Sequence, residues 1–372
     1  MRILQVIETG GPGGAETVFA QLASGLAQRG HGVTVLVSDG DWLPDELERR
    51  GFTPVLMHRG GAFDFSLLRQ LVLTIRAEQV DLVHAHLFDG AAYATLAAGL
   101  CGVPCVTTLH GQVDVYRKGL AAPMKAMLLR YGASAVVAVS GALRDDVQAL
   151  LRVPANRFRV VYNGLEAFNS VGDTRSDTFE PRPSRASDQQ VRLIAIGNIR
   201  VAKDYPTLMR AMAALKERGL NVHLDVLGQP DDGGLYEEIL ALVHELEITS
   251  HVTFHGFVSD PAPFLARADA FVLASSREGF SLATIESMLA GVPVIATKSG
   301  GPQEIIEHEV TGLLIPPGDA TALAEAVSRL TDDPALAGQL ANAGKCSAMS
   351  RFSVKHMIDA YETLYRSLVM SR

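Results

Sequence analysis

Two carboxylates stand out in the stretch SSREGFSLATIESMLAGVPVIAT, residues 275–297, because they bracket seven uncharged residues. Glu278 follows the apolar run AFVLAS, which is typical of a buried strand, and Glu286 lies in a segment with helical spacing. Either acid alone is explained by a favourable helix dipole or by a solvated helix surface. Together they suit a ligand rich in hydroxyl groups, because an ionised carboxylate accepts hydrogen bonds from such donors.

The uncharged turn between the two acids predicts a phosphate site. We expect a helix over residues 282–289, with Gly279, Phe280 and Ser281 in its first turn. The backbone N–H groups of a first turn have no partner inside the helix, so they are free to bind an anion.

A basic pair follows a second strand candidate, VRLIAIG, in the segment AIGNIRVAKDYP. Arg200 and Lys203 lie in the turn, and Asp204 and Pro206 mark the start of a helix. Arginine binds a diphosphate through its two-pronged guanidinium group, and lysine binds it as a point charge. An exposed basic turn without a ligand is the alternative.

A glycine loop, ETGGPGGAETVF, follows the first strand candidate and opens the first helix. At Gly13 and Gly14 the backbone can approach a phosphate or a sugar closely. A dinucleotide fingerprint starting at Gly11 is the rival interpretation, supported by Asp39 at the end of the second strand. Glu16 stands where that fingerprint needs its last glycine, and its charge would repel a pyrophosphate. A tight turn without a ligand is the third interpretation.

Strand and helix patterns alternate along the chain and predict two doubly wound α/β domains. We expect a Rossmann-like domain at residues 1–168, a polar linker at 169–190 and a second Rossmann-like domain at 191–350. Residues 351–372 predict a last helix that packs back towards the first domain. A ligand is then expected between the domains, at the carboxyl ends of both sheets.

The composition favours a globular cytoplasmic protein, with 48% hydrophobic and 20% charged residues among 372. The net charge of −8 argues against a nucleic-acid partner, because such proteins usually present a basic face. The N-terminus lacks the apolar length of a signal peptide. The uncharged segment 90–109 contains Gly99, Gly102 and Pro104, which favour a helix, a turn and a strand over a membrane span. The three cysteines are interpreted as packed, reduced thiols.

The motif EGFSLATIE, in which two glutamates are separated by seven residues, resembles that of the retaining glycosyltransferases of family 4. The segments GNIRVAK, GGAE and TGLLIPPGD strengthen the resemblance, which covers nearly the whole chain in order. That family has the GT-B fold, in which two Rossmann-like domains face each other across a cleft. The resemblance implies transfer of a hexose from a UDP-sugar or GDP-mannose to an acceptor hydroxyl with retention of configuration, without metal or cofactor.

The resemblance also implies a role for each motif residue. Glu278 contacts the hydroxyls of the donor sugar, and Glu286 holds the nucleotide ribose. The remaining donor contacts are the diphosphate-binding pair Arg200 and Lys203, the amides of Gly279, Phe280, Ser281 and Leu282, the loop glycines Gly13 and Gly14, and Phe257 and Val258 beside the nucleobase. His110, in TTLHG, matches a histidine near the donor sugar and is expected to hydrogen-bond the sugar or the acceptor.

Other functions remain open on the sequence. An epimerase or a phosphorylase would use the same fold, an NAD-dependent oxidoreductase would use the glycine loop, and a non-catalytic sensor would keep the donor site alone. The pair His84-x-His86 invites a metal site, since alternate residues of a strand share a face, but a third ligand is not evident.

The sequence gives the least information about the acceptor. A glycan or a lipid-linked acceptor is expected, for polysaccharide biosynthesis. In YRKGLAAPMKAMLLRY the cations Arg117, Lys118, Lys125 and Arg130 occur without any acid. They favour weak peripheral contact with an anionic membrane, at its inner face, or they form a solvated helix surface.

Overall fold

The computed structural model describes residues 1–40, 42–57, 64–111, 122–166, 190–230 and 233–370. The chain divides into two compact units. The first holds residues 1–165 and 353–372, and the second holds residues 166–352. The segment expected as a linker, 169–190, lies outside the described residues except for Gln190.

The first unit is built on a seven-stranded parallel sheet, whose strands are mostly short apolar runs buried on both faces. Its strands are β1 (Arg2–Ile7), β2 (Gly32–Ser38), β3 (Val55–Met57), β4 (Leu82–His86), β5 (Cys105–Leu109), β6 (Ala135–Ala138) and β7 (Phe158–Val160). They are arranged in the order β3-β2-β1-β4-β5-β6-β7. The chain therefore changes direction across the sheet between β1 and β4, which is where doubly wound sheets bind ligands.

Helices follow the strands of this sheet, and two of those described begin at a capping side chain. They are α1 (Gly14–Gln28), α2 (Leu43–Arg49), α3 (Phe65–Ala77), α4 (Asp89–Cys101), α5 (Ala122–Gly132) and α6 (Gly141–Leu151), with a 3-10 turn at Ala155–Arg157. Asp64 caps α3 by accepting a hydrogen bond from Leu67 N at 3.0 Å, and Ser140 caps α6 in the same way.

The second unit contains a six-stranded parallel sheet of the same kind, in the order β10-β9-β8-β11-β12-β13. Its strands are β8 (Val191–Ile196), β9 (Val222–Leu227), β10 (Val252–Phe254), β11 (Ala270–Leu273), β12 (Val294–Thr297) and β13 (Leu313–Ile315). Its helices are α7 (Tyr205–Glu217), α8 (Leu235–Glu245), α9 (Ala262–Leu265), α10 (Leu282–Leu289), α11 (Pro302–Ile305), α12 (Ala320–Asp332) and α13 (Pro334–Arg351), with 3-10 turns at Val201–Lys203 and Thr249–His251. Here the chain changes direction between β8 and β11. The predicted two-sheet α/β fold is confirmed.

The last helix, α14 (Val354–Met370), belongs to the first unit and packs against α1. Arg29 lies 2.6 Å from Asp359 and 2.8 Å from Glu362, so two carboxylates of α14 share one guanidinium group. Gly25 permits the close approach, because a Cβ at this position would lie 1.9 Å from Ile358 Cδ1. A glycine inside a helix costs stability relative to alanine, and the close packing explains its presence here.

Hydrogen bonds in the core attach α14 to the centre of the sheet. Tyr365 Oη lies 2.6 Å from His84 Nδ1, and His84 Nε2 lies 2.7 Å from Thr108 Oγ1. Thr108 Oγ1 is also 2.9 Å from Tyr361 Oη. All four side chains are buried, so each hydrogen bond satisfies groups that water cannot reach. Both ring nitrogens of His84 are therefore engaged within the protein.

No helix among the described residues is long and apolar enough to cross a membrane. The uncharged segment 90–109 instead forms most of α4 and the whole of β5. Gly102 ends α4 in the left-handed conformation, with φ 67°, which glycine adopts without strain.

Replacement of Tyr365 by phenylalanine tests the attachment of α14. The variant keeps the ring but leaves His84 Nδ1 buried without a partner, so the free energy of unfolding should fall by about 1–3 kcal/mol. Urea unfolding measures this change. The same substitution at Tyr131, which is 64% exposed, is the control and should change stability little. Equal stabilities of the two variants would show that the buried hydrogen bond contributes nothing.

Candidate active site

The site of the second unit lies where its chain changes direction between β8 and β11. The loop after β8 carries Lys203, and the loop after β11 carries Glu278. Lys203 Nζ lies 2.8 Å from Glu278 Oε2 in a charge-assisted hydrogen bond. The two side chains are 21% and 15% exposed, so the pair is partly shielded from water and still accessible to a ligand. The structure therefore brings together the basic and acidic motifs that the sequence predicts.

Backbone hydrogen bonds hold these two loops in place. Ser276 N donates to Ala202 O at 2.8 Å, which ties the loop after β11 directly to the loop after β8. Glu278 N donates to Ser299 O at 2.8 Å, and Glu278 O accepts from Gly301 N at 2.9 Å. A Cβ at Gly301 would lie 2.5 Å from Gly279 O, so the close approach of Gly301 to this loop requires a glycine. The main chain of Glu278 is thereby fixed before any ligand binds.

Ser275 is a site residue to which sequence reasoning assigned no role. Its side chain is fully buried, and Ser275 Oγ donates to Glu278 Oε2 at 3.1 Å. Its own carbonyl accepts a hydrogen bond from Thr297 Oγ1 at 2.5 Å. Ser275 opens the stretch that contains both acids, so its position three residues before Glu278 was the available signal.

The turn after Glu278 offers backbone groups rather than side chains. The helix α10 begins at Leu282, so the expectation that Gly279, Phe280 and Ser281 form its first turn was wrong. Ser281 is the capping residue, whose Oγ accepts from Thr284 N at 3.3 Å, and this side-chain cap starts the helix after it. Phe280 is buried with its ring against Phe352, at 5.5 Å between centroids.

The N–H groups of this turn are available to an anion. Those of Gly279, Ser281 and Leu282 donate to no group among the described residues. Because they precede or open α10, they carry the partial positive charge of the helix start. A phosphate placed there would meet backbone donors on one side of Glu278.

Lys203 and Arg200 differ in how firmly the fold holds them. The Lys203 side chain lies across Gly197, where a Cβ would be 3.0 Å from Lys203 Cε. Tyr205 Oη donates to Gly197 O at 2.5 Å and fixes the same turn, and burial with the nearby Glu278 charge raises the pKa of Tyr205. Arg200 is exposed and opens the 3-10 turn. Its guanidinium group is accessible for a ligand from solvent.

Glu286 lies on α10 and is only partly exposed. Burial and the nearby charge of Asp260 raise the pKa of Glu286 to about 7. Its carboxylate accepts no hydrogen bond from any of the described residues. Asp260 belongs to the loop after β10 that also carries Phe257, which is 40% exposed, and Val258. The predicted ribose-binding acid and the predicted nucleobase loop are therefore neighbours.

His110, the candidate of the first unit, follows β5 and is half-buried. Its Nε2 lies 2.9 Å from His86 Nδ1, and the two rings stack at 5.2 Å. Burial lowers the pKa of His110 to about 3, and it lowers the pKa of His86 well below the usual range. At neutral pH both rings are uncharged, so His110 takes part in hydrogen bonds as a neutral imidazole.

The glycine loop of the first unit contains two acidic residues, Glu8 and Glu16. Gly13 precedes α1 in an extended conformation, and a Cβ there would lie 2.4 Å from Glu16 Oε2. Glu8, at the end of β1, accepts a hydrogen bond from Gly90 N at the start of α4. A phosphate at Gly13 would meet the charge of Glu16, whereas a sugar hydroxyl could donate to it. The roles predicted for Gly13 and Gly14 stay predictions.

Lys125 does not form part of an accessible basic surface. It is buried, and its Nζ lies 2.9 Å from Asp89 Oδ1 in an ion pair between α5 and α4. The segment 116–131 contains no acid, but the fold supplies one from another helix. Arg130 remains partly accessible and stacks on Tyr131, while Arg117 and Lys118 lie outside the described residues.

Histidine, cysteine and acidic side chains in the described part of the chain form no group of three or more that could hold a metal ion. His84 and His86 do share a face of β4, with ring centroids 4.2 Å apart. Both nitrogens of His84 and one nitrogen of His86 are hydrogen-bonded within the protein.

Two protein families match consecutive parts of the chain. Residues 12–167 match Glycosyltransferase Family 4, and residues 176–346 match Glycosyl transferases group 1. The boundary between the matches falls close to the boundary between the two structural units.

The similarity to known relatives extends over almost the whole chain. The N-acetyl-alpha-D-glucosaminyl L-malate synthase of Bacillus anthracis is 30% identical, over 95% of this chain and 93% of that enzyme. The lipopolysaccharide core biosynthesis glycosyltransferase LpsE of Rhizobium meliloti is 28% identical, over 96% of this chain and 97% of that enzyme. These similarities do not favour an epimerase or an NAD-dependent oxidoreductase.

Solved structures share the fold. HepE of Anabaena, in complex with UDP and glucose, superimposes with a TM-score of 0.87 at 23% identity, over 99% of this chain and 100% of that one. The two parallel sheets and this neighbour show the GT-B fold. The two matching families and the relative at 30% identity show a glycosyltransferase, and the chain belongs to glycosyltransferase family 4, as its sequence motifs indicated.

The raised pKa of Glu286 predicts how stability depends on pH. The unfolded carboxyl ionises near pH 4.5 and the folded one near pH 7, so Glu286 makes the fold progressively less stable as pH rises through this window. Glu286→Gln cannot ionise and should escape this loss. The variant and the parent should have the same Tm near pH 4.5, and the variant should have the higher Tm at pH 8.

The matched control is Glu325→Gln, because Glu325 is 66% exposed and lies in the same unit. Its effect on Tm should not grow with pH in this way. A Tm difference for Glu286→Gln that is constant from pH 4.5 to pH 8 would contradict the raised pKa.

Proposed function

We propose that the protein transfers a sugar from a nucleotide-diphosphate sugar to an acceptor hydroxyl with retention of configuration. The observation that carries the proposal is the Lys203–Glu278 contact of 2.8 Å, at the point where the second sheet changes direction. It places a cation suited to a diphosphate beside an acid suited to sugar hydroxyls, next to backbone N–H groups that donate to none of the residues the structure describes. A donor that joins a sugar to a diphosphate matches this arrangement of charges.

Each part of the donor has a proposed partner in the second unit. Arg200, Lys203 and the start of α10 bind the diphosphate, and Glu278 accepts hydrogen bonds from the sugar. Glu286 accepts from the ribose, and Phe257 with Val258 lies against the nucleobase. The proximity of Asp260 to Glu286 supports this order, because it brings the loop of Phe257 beside the proposed ribose contact.

The chemistry assigned to these residues is stabilisation of the leaving group. The bond between the anomeric carbon and the phosphate oxygen breaks, and negative charge grows on the diphosphate. Arg200, Lys203 and the first amides of α10 offset that charge, which lowers the barrier. The acceptor oxygen bonds to the anomeric carbon, and its proton passes to the departing phosphate. Attack from the side that the diphosphate leaves retains the configuration and needs no carboxylate nucleophile.

The relatives support a nucleotide sugar as donor and a glycan as acceptor. HepE was solved with UDP and with UDP-glucose, and LpsE is named for lipopolysaccharide core biosynthesis. We therefore propose a UDP-hexose as the first donor to test, with GDP-mannose second. His110, Gly13 and Gly14 are proposed to contact the reacting sugar or the acceptor.

Ligand-induced thermal shifts test this proposal. A nucleoside diphosphate from a panel of UDP, GDP and ADP, or its sugar, should raise Tm, because binding stabilises the folded state. Lys203→Met should reduce the shift. Lys216→Met is the control and should keep it, because Lys216 is a partly exposed lysine of the same unit bound to Glu247 O. Stabilisation by NAD and by no nucleoside diphosphate would overturn the proposal.

Transfer assays with the donor found in that panel test the catalytic assignment. Glu278→Ala should lower kcat by about 100-fold or more, the usual effect of losing a group that acts on the transition state. NMR of the product should show the anomeric configuration of the donor sugar. Full activity of the variant would place the sugar elsewhere, and an inverted product would exclude retention.

Weak contact with an anionic membrane is a further part of the proposal. On α5, Met127 and Tyr131 are 53% and 64% exposed, and Arg130 lies beside Tyr131. Vesicles of phosphatidylglycerol should sediment the parent more than the triple variant Arg117→Gln, Lys118→Gln, Arg130→Gln, and added salt should remove the difference. Lys125 is left unchanged because its ion pair is structural. Equal sedimentation at low salt would exclude the contact.

A further inference from the structure

The Lys203–Glu278 ion pair joins two groups that the proposed function assigns to different parts of the donor. We infer that these residues exchange partners when the donor binds, and that the exchange distinguishes an intact nucleotide sugar from a bare nucleoside diphosphate. The inference rests on the proposed function, since it concerns the same site. It assigns Ser275 as the positioning residue that holds Glu278 during the exchange.

The first observation is the unequal use of the two oxygens of Glu278. Oε2 accepts from Lys203 Nζ at 2.8 Å and from Ser275 Oγ at 3.1 Å. Oε1 accepts no hydrogen bond from any side chain or amide in the described ranges. One oxygen is thus held from within the protein, and the other is available to a hydroxyl donor.

The second observation is that the pair is partly desolvated. At 21% and 15% exposure the two charges are screened less than on an open surface, so their attraction is stronger than in most surface ion pairs. A diphosphate that binds Lys203 must compete with Glu278 for the same ammonium group. It would also bring its own negative charge close to the carboxylate, which raises the cost of binding.

An intact donor removes this cost. Its sugar hydroxyls donate to Glu278 and replace the hydrogen bond from Lys203, which is then free to pair with the diphosphate. The carboxylate keeps its place because Ser275 still donates to Oε2 and because the backbone of Glu278 is fixed by Ser299 and Gly301. Binding of the sugar and binding of the diphosphate therefore favour each other, as a coupling free energy between two parts of one ligand.

The exchange predicts an unusual result for Glu278→Gln, which removes the competing charge with little change in volume. The variant should bind the nucleoside diphosphate about tenfold more tightly than the parent, or about 1.4 kcal/mol. It should bind the nucleotide sugar no more tightly, because the ionised acceptor for the sugar hydroxyls is lost. Isothermal titration with UDP and UDP-glucose, and with GDP and GDP-mannose, measures both affinities.

A double-mutant cycle separates partner exchange from simple removal of a negative charge. In a Lys203→Met background, exchange predicts that Glu278→Gln tightens binding of the diphosphate by much less than tenfold, because no ammonium group remains for the carboxylate to release. A persistent tenfold effect in that background would overturn the exchange. Glu309→Gln is the matched control, because it removes a carboxylate from the exposed Arg329 pair of the same unit, and it should leave both affinities unchanged.

Ser275→Ala tests the positioning role. The variant should weaken the nucleotide sugar several-fold while affinity for the diphosphate stays within twofold, which general loss of structure would not produce. Equal weakening of both ligands would exclude this role. If the parent binds no nucleoside diphosphate, the proposed function itself fails. If the parent binds one and Glu278→Gln does not bind it more tightly, only the exchange fails.

Discussion

The proposed donor site depends on one constraint, which is that oppositely charged residues from two separate loops must meet at the carboxyl ends of β8 and β11. These strands are neighbours in the sheet although they are distant in the chain, because the winding reverses between them. The hydrogen bond from Ser276 N to Ala202 O joins the loops, and the 2.8 Å contact between Lys203 and Glu278 follows. The cost of ordering both side chains is then met during folding, before any ligand binds.

The two units use the same topology differently. In the second unit, the change of direction presents Lys203 and the amides of Gly279, Ser281 and Leu282, which donate to no group in the described parts of the chain and suit a phosphate. In the first unit, the corresponding position holds Glu8 against the start of α4 and Glu16 against Gly13. Carboxylates at a helix start satisfy the groups that would otherwise bind an anion. The difference in charge, on one fold, gives the second unit the features expected of a nucleotide-binding domain.

Sequence patterns predicted strands that alternate with helices, and the motifs of the site, because both depend on local spacing. Apolar runs separated by helical segments identify parallel strands, and the two glutamates seven residues apart can be found without coordinates. The pattern could not show that Phe280 turns into the core or that Ser281 ends the turn and starts α10. It also gave no role to Ser275, since a serine between a strand and a turn is ordinary in any sequence.

The sequence by itself determined the α/β class, the family and the residue types of the proposed donor site, because periodicity and motif spacing are properties of neighbouring residues. Only the tertiary structure decided which charged residues are available to a ligand. Lys125 forms an ion pair with Asp89 from another helix and is therefore not available to a ligand. Lys203 forms an ion pair with Glu278 from another loop. Burial beside Asp260 raised the pKa of Glu286 to about 7. Charge pairing and desolvation arise between segments far apart in the chain, so they exist only once the sheet has brought those segments together.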